Sequence, residues 1–243
     1  MGSYWEQTRR PRYSLLFAMP LLFLYEGLAA LLGRQGAAEV RNGADVLLKS
    51  LFVLVGGANG LLLFGLVLVV AGGWLVARDL RQHGAPRAAW FIGMLLEATM
   101  YATFLGVAAS WLTTLLLGRG PLAASAVAGT DFPTQVMLSL GAGLYEELLF
   151  RVLLVSALLL VARRGFGWGN LTSAAFAVVL SALVFSGFHY IGSYGDRFAL
   201  SSFTYRAVAG LMLSALYVTR GFGIVAWSHA LYDVMLAAVG GWG

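Results

Sequence analysis

Seven apolar runs, each long enough to cross a bilayer, follow one another along this chain, and that repetition fixes the kind of fold open to it. A helix covers a hydrocarbon core of about 30 Å with about 20 residues. The runs read Tyr13–Leu32, Ala58–Ala77, Ala88–Leu117, Pro133–Ala162, Leu171–Tyr190, Phe203–Thr219 and Gly223–Val239. The third and fourth exceed a perpendicular span, so they are expected to tilt or to project into the headgroups. Val46–Val55 is apolar but short, and reads as an interfacial or re-entrant helix rather than an eighth span. The expected fold is all-α: a polytopic membrane helix bundle of about seven spans, with eight possible, forming a single integral membrane domain over residues 1–243.

Composition agrees. Of 243 residues, 60% are hydrophobic and 11% charged, against about 25% charged in a soluble domain. This excludes a soluble enzyme, a disordered chain and a disulfide scaffold. The absence of cysteine also excludes thiolate metal sites and cysteine nucleophiles. The net charge of +5 sets 15 Arg and one Lys against 11 Asp and Glu, and the basic residues are scattered at the ends of the runs with no basic stripe, so nucleic acid is not an expected partner. The arginine bias points to a GC-rich genome, and hence to a bacterial inner membrane.

Lys and Arg gather in cytoplasmic loops. Arg9, Arg10, Arg12, Arg78, Arg81, Arg87, Arg163, Arg164 and Arg220 all fall on one side of a seven-span chain, whereas Arg119 is balanced by Asp131 and Arg197 by Asp196. The loop before the second span is mixed, with Arg34, Arg41 and Lys49 against Glu39 and Asp45. The expected topology has the N-terminus inside and the C-terminus outside. Arg9-Arg10 precedes a run too long for a signal peptide and without a cleavage site, so the first span is expected to be uncleaved.

Ionisable groups at membrane depth are costly, about 2.5–3.5 kcal/mol on insertion scales, and are functional candidates by default. The fourth span carries Glu146-Glu147 and Arg151. Glu147 and Arg151 are four apart and share a helix face, whereas Glu146 is rotated by about 100° and faces elsewhere. Two adjacent carboxylates thus have different partners, and the one without the arginine is available as a base. The fifth span ends in Phe185-Ser186-Gly187-Phe188-His189, and the seventh contains His229 with Asp233 four residues later. Converging inward, these groups would line one polar cavity. Glu26 and Glu97 also lie in spans, where they could line a path, pair with an arginine such as Arg206, or stay protonated. Gly141-Ala142-Gly143 suits close helix packing or the approach of a substrate backbone.

The ordered set Glu-Glu-x-x-x-Arg, Phe-x-x-x-His and His-x-x-x-Asp resembles the CAAX protease and bacteriocin-processing family of intramembrane proteases, which includes the Ras-converting CAAX endoproteases and the bacterial myxosortase branch. The resemblance covers about residues 141–233, within a motif-bearing core of roughly 133–240. Asp233 stands where prenyl-protein proteases usually carry Asn, and Val152 stands where many members have Gly.

The resemblance implies an endopeptidase that cuts a membrane-proximal bond of a membrane-anchored protein or peptide. Glu146 would act as general base on a water that His189 helps to hold, and His229 would donate to the oxyanion. Asp233 would orient or charge His229, Glu147 would be fixed by Arg151, and Arg151 and Phe185 would support the site. No cofactor is expected. The alternative is a divalent metal such as zinc on the two histidines and a carboxylate. Rival readings of the chain are a proton-coupled transporter and a non-catalytic scaffold of the same fold. Counting along the spans puts His189 near the outer edge of the core, Glu146 at mid-depth and His229 nearer the inner face. On average, the cavity is expected to open outward.

Overall fold

A computed structural model describes residues 2–33, 40–118, 130–192 and 195–240. Arg34, Glu39, Arg119 and Gly243 lie outside the described residues. The described chain is helical, with α1 Tyr4–Thr8, α2 Pro11–Gly33, α3 Gly43–Gly56, α4 Gly60–His83 and α5 Ala88–Leu117 in its first half. A rod over residues 132–165 follows, built of α6 Phe132–Gly141, α7 Val155–Leu160 and the π-helical stretches Ala142–Glu146, Leu148–Leu154 and Val161–Gly165. The last three helices are α8 Asn170–Phe188, α9 Leu200–Arg220 and α10 Phe222–Gly240.

Every expected run is helical among the described residues. Among the described residues, five stretches are long and apolar enough by themselves to cross a membrane: Pro11–Gly33, Gly43–His83, Ala88–Leu117, Asn170–Phe188 and Phe222–Val239; the other two expected spans, the rod and α9, are interrupted or more polar. In the rod over 132–165 the α-helical hydrogen bonding is repeatedly widened to π. In α9 the apolar face is diluted by Ser201, Ser202, Thr204, Arg206, Ser214 and Thr219.

The stretch 43–83 is not one straight helix. Gly57 takes φ 55°, and a Cβ on Gly60 would lie 2.3 Å from the Val53 Cα. The rings of Phe52 and Phe64 are 5.2 Å apart, although 12 residues of straight helix would separate them by about 18 Å. The chain therefore folds back at Gly57–Asn59, and α3 and α4 pack as a hairpin. With 14 residues, α3 reaches about 21 Å, well short of a full span. This is the short apolar stretch, longer and more sharply folded than its sequence indicated.

Many large apolar side chains face outward, and charged groups of the motifs lie inside beside alanines and a core of buried Tyr, Leu and Met. Leu62, Val69 and Leu96 are exposed, while Ala98, Ala102, Ala109, Glu147 and Arg151 are fully buried. An exposed apolar surface of this extent needs lipid around it, and the chain is an integral membrane protein. α10 is the central helix, packed against α2, α5, α6 and α9. Trp227 Nε1 donates to the Phe17 carbonyl of α2 at 2.6 Å.

One end of the bundle is tied by arginines. Arg12 donates to the Gly84 carbonyl at 2.6 Å and lies 3.9 Å from Asp79. Arg9 donates to the Val218 carbonyl at 2.8 Å. Arg220 pairs with Glu97 and donates to the Trp5 carbonyl at 2.9 Å. Glu97 thus finds Arg220 rather than Arg206, which pairs with Asp196. The N-terminal segment, the 84–87 turn and the α9–α10 turn share this end, as the loop charges required.

Candidate active site

The polar groups singled out from sequence meet where the rod, α8 and α10 converge. Glu146 closes the first π stretch of the rod and Glu147 directly follows it. Local π geometry inserts an extra residue per turn and is common at functional sites. The widened rod is braced from α8, where the Ser181 hydroxyl donates to the Phe150 carbonyl at 2.9 Å. It also closes tightly on α10: a Cβ on Gly143 would sit 2.3 Å from the Ala226 oxygen and 2.6 Å from the Ala230 Cβ. A Cβ on Gly141 would meet the Tyr25 ring at 2.6 Å and the Asn42 Cβ at 3.0 Å. These glycines serve helix packing, since the space beside each is already filled.

Glu147 and Arg151 are fully buried, with Glu147 Oε2 3.2 Å from Arg151 Nε. The guanidinium lies over the Phe185 ring, 4.4 Å from its centroid, and its Nη2 donates to the Gly210 carbonyl at 3.4 Å. The other oxygen of Glu147 lies 2.7 Å from His229 Nδ1. Sequence spacing pairs Glu147 with Arg151 alone. Its second partner comes from a helix 82 residues away.

His189 caps the C-terminus of α8. Its Nδ1 lies 2.9 Å from the Phe185 carbonyl. A carbonyl only accepts, so Nδ1 carries the hydrogen and Nε2 presents a lone pair in the neutral ring. The Phe185 ring contacts the His189 ring edge-on at 4.9 Å, separating it from Arg151.

Glu146 Oε2 lies 3.9 Å from His189 Nε2 and 4.0 Å from His229 Nε2. It is buried and has no hydrogen-bond partner among the described residues. Asp233 Oδ2 stands 3.5 Å from His229 Nε2, one turn along α10. The Glu146 and His229 side chains are only 8% and 7% exposed, whereas those of His189 and Asp233 are 25% and 28% exposed, so the cluster opens past these last two.

The two histidines share a depth, contrary to the count along separate spans. That count assumed parallel, perpendicular helices starting at one plane. Local counts are more direct. His229 is eight residues from Gly221, about 12 Å from the arginine-tied end. Glu146 is 14 residues from Phe132, about 21 Å from the opposite end. The two lengths together are close to the thickness of a bilayer core, and within the bundle the site lies somewhat closer to the arginine-tied end.

Two glutamates outside the motifs have salt-bridge roles. Glu26 pairs with Arg41 at 2.8 Å and Lys49 at 2.9 Å, and Glu97 pairs with Arg220. One neighbour of the site was not anticipated: Asn42 Nδ2 donates to Glu146 Oε1 at 2.9 Å.

The fold and the cluster define a helical membrane protein with a carboxylate–imidazole site buried between its spans. Residues 128–235, which hold all three motifs, match the family model described as type II CAAX prenyl endopeptidase Rce1-like. The resemblance read from the motifs therefore holds at the level of the family over the segment that carries them. No curated protein and no solved structure matches the chain.

Proposed function

We propose that this chain is an intramembrane endopeptidase in which Glu146 activates a water to hydrolyse a membrane-proximal peptide bond of a membrane-anchored protein or peptide. The matched family is one of endopeptidases. The observation that carries the mechanism is the unpartnered Glu146 Oε2, faced by two imidazole nitrogens at 3.9 and 4.0 Å.

A water seated among these three atoms donates one hydrogen to Glu146 Oε2 and the other to the His189 Nε2 lone pair. Its own lone pair is thereby aimed at a substrate carbonyl. As the oxygen adds to the carbonyl carbon, its proton passes to Glu146. The negative charge that develops on the carbonyl oxygen needs a fixed donor. His229 supplies it from Nε2 while Glu147 takes the hydrogen of Nδ1. Both nitrogens of His229 face carboxylates, Glu147 on one side and Asp233 on the other, which fix the plane of the ring. Glu146 then returns its proton to the departing amide nitrogen and the C–N bond breaks. The products are a carboxylic acid and an amine, and the base is regenerated.

Zinc on His189, His229 and Glu146 is the alternative. Ligands of a tetrahedral zinc at about 2.0–2.1 Å stand about 3.3 Å apart. The separations of 3.9 and 4.0 Å are wider, which supports the direct mechanism.

The test uses the purified chain in liposomes with two internally quenched peptides, one anchored by a farnesylated cysteine and one by a single apolar helix. Hydrolysis of at least one is expected. Glu146→Gln should lower it about 10²- to 10⁴-fold with an unaltered melting temperature, and chelators should leave it unchanged. Equal turnover by Glu146→Gln would sink the assignment. Loss with a chelator, restored by Zn²⁺, would transfer the site to metal chemistry.

A further inference from the structure

Asn42 lies far upstream of the three motifs, yet it is the one side chain that donates a hydrogen bond to Glu146 among the described residues. Its orientation is over-determined. As the N-cap of α3, its Oδ1 accepts from the backbone N–H of Ala44 at 2.9 Å and of Asp45 at 3.4 Å. Its own backbone N–H donates to the Tyr25 hydroxyl at 3.3 Å, and that hydroxyl donates to Asp45 Oδ2 at 2.8 Å. With the amide oxygen committed to the helix, the amide nitrogen has to point away from it, and it points at Glu146 Oε1.

We propose that Asn42 is a positioning residue that decides which oxygen of Glu146 does the chemistry. This rests on Glu146 being the general base. Holding Oε1 fixes the plane of the carboxylate and leaves Oε2 as the oxygen turned to His189 and His229. Without that bond, rotation of the carboxylate would exchange the two oxygens and blur the seat of the water. The half-length helix α3 thus has a use: its hairpin holds Asn42 at the depth of Glu146. A full span would carry its cap out to the headgroups.

Ser and Asp cap helices about as well as Asn, so Asn42→Ser and Asn42→Asp separate capping from positioning. Both variants keep the cap of α3 and, reconstituted with the two quenched peptides, should stay folded and keep KM within about twofold; Asn42→Ser should lose no more stability than the one buried hydrogen bond given up, and Asn42→Asp more, through carboxylate repulsion. Asn42→Ser cannot reach Glu146 and should lower kcat about 10- to 100-fold, the scale of a misplaced catalytic group. Asn42→Asp should lower it further, by setting a carboxylate against Glu146. Unchanged kcat in both variants would overturn the proposal and leave Asn42 a cap alone. If the unmodified chain cleaves neither peptide, the endopeptidase reading fails first. The infrared carboxylate stretch of Glu146, isolated by difference from Glu146→Gln, still reads the contact. It should shift in Asn42→Ser, and an unshifted band would overturn the proposal.

Discussion

Glu147 carries two loads. One oxygen faces Arg151 at 3.2 Å and the other holds His229 Nδ1 at 2.7 Å, with no solvent at either. Removing one partner of a buried ion pair costs about 3–5 kcal/mol, while replacing both by apolar groups of similar size is often neutral. Glu147→Ala should therefore lower the melting temperature strongly by leaving Arg151 uncompensated. The double variant Glu147→Leu with Arg151→Met should recover most of that stability. It should not recover peptide hydrolysis, because His229 has still lost the carboxylate that orients it. Thermal melts run beside turnover separate the two loads, and recovered hydrolysis in the double variant would confine Glu147 to packing. Ser181 gives a smaller, purely structural control. Its hydroxyl satisfies a carbonyl in the widened rod, and Ser181→Ala should cost about 1 kcal/mol in unfolding experiments.

At the scale of elements, the rod and α10 are held closer than two ordinary helices by Gly143. Its added methyl would meet backbone and Cβ atoms of α10 rather than a flexible side chain. Overpacking of this kind costs about 1–3 kcal/mol. Gly143→Ala should lower the melting temperature modestly and turnover severely, because α10 must move and carries His229 with it. Turnover lost without any change in melting would point instead to a substrate backbone at this glycine.

This contact also marks how far the sequence could be read. The limits of α5 coincide with the expected run at Ala88–Leu117, because Arg87 and Gly118 bracket a long apolar stretch. The pairing of Glu147 with Arg151 followed from helical spacing. The π stretches did not show, since a widened turn leaves the apolar pattern nearly intact. Arg41-Asn42-Gly43 ahead of an apolar run has the character of a helix start, but nothing local ties Asn42 to a carboxylate 104 residues later. The depths of His189 and His229 were misjudged for a related reason. A run length tells where a helix enters lipid only if the helix is full-length and upright.

For the whole molecule, the arginine-tied end and the Gly57–Asn59 turn lie at opposite ends of α4, 24 residues apart, about 36 Å. The positive-inside rule predicts that the first faces the cytoplasm. Because the chain has no cysteine, single substitutions report cleanly. In sealed inside-out and right-side-out vesicles, Ala85→Cys should react with an impermeant maleimide only from the cytoplasmic side, and Ala58→Cys only from the other. Reaction of both from one side would overturn the hairpin topology. The hairpin also has a mechanical meaning. With α4 spanning the bilayer, the hairpin's turn would ride in the headgroups of one leaflet, while its tip touches Glu146, the proposed base. A bilayer with longer or shorter acyl chains shifts the leaflet but cannot stretch α3, so any mismatch must be taken up as tilt or as strain on the tip. Through that one short helix, the thickness of the surrounding lipid bears directly on the aim of a single carboxylate.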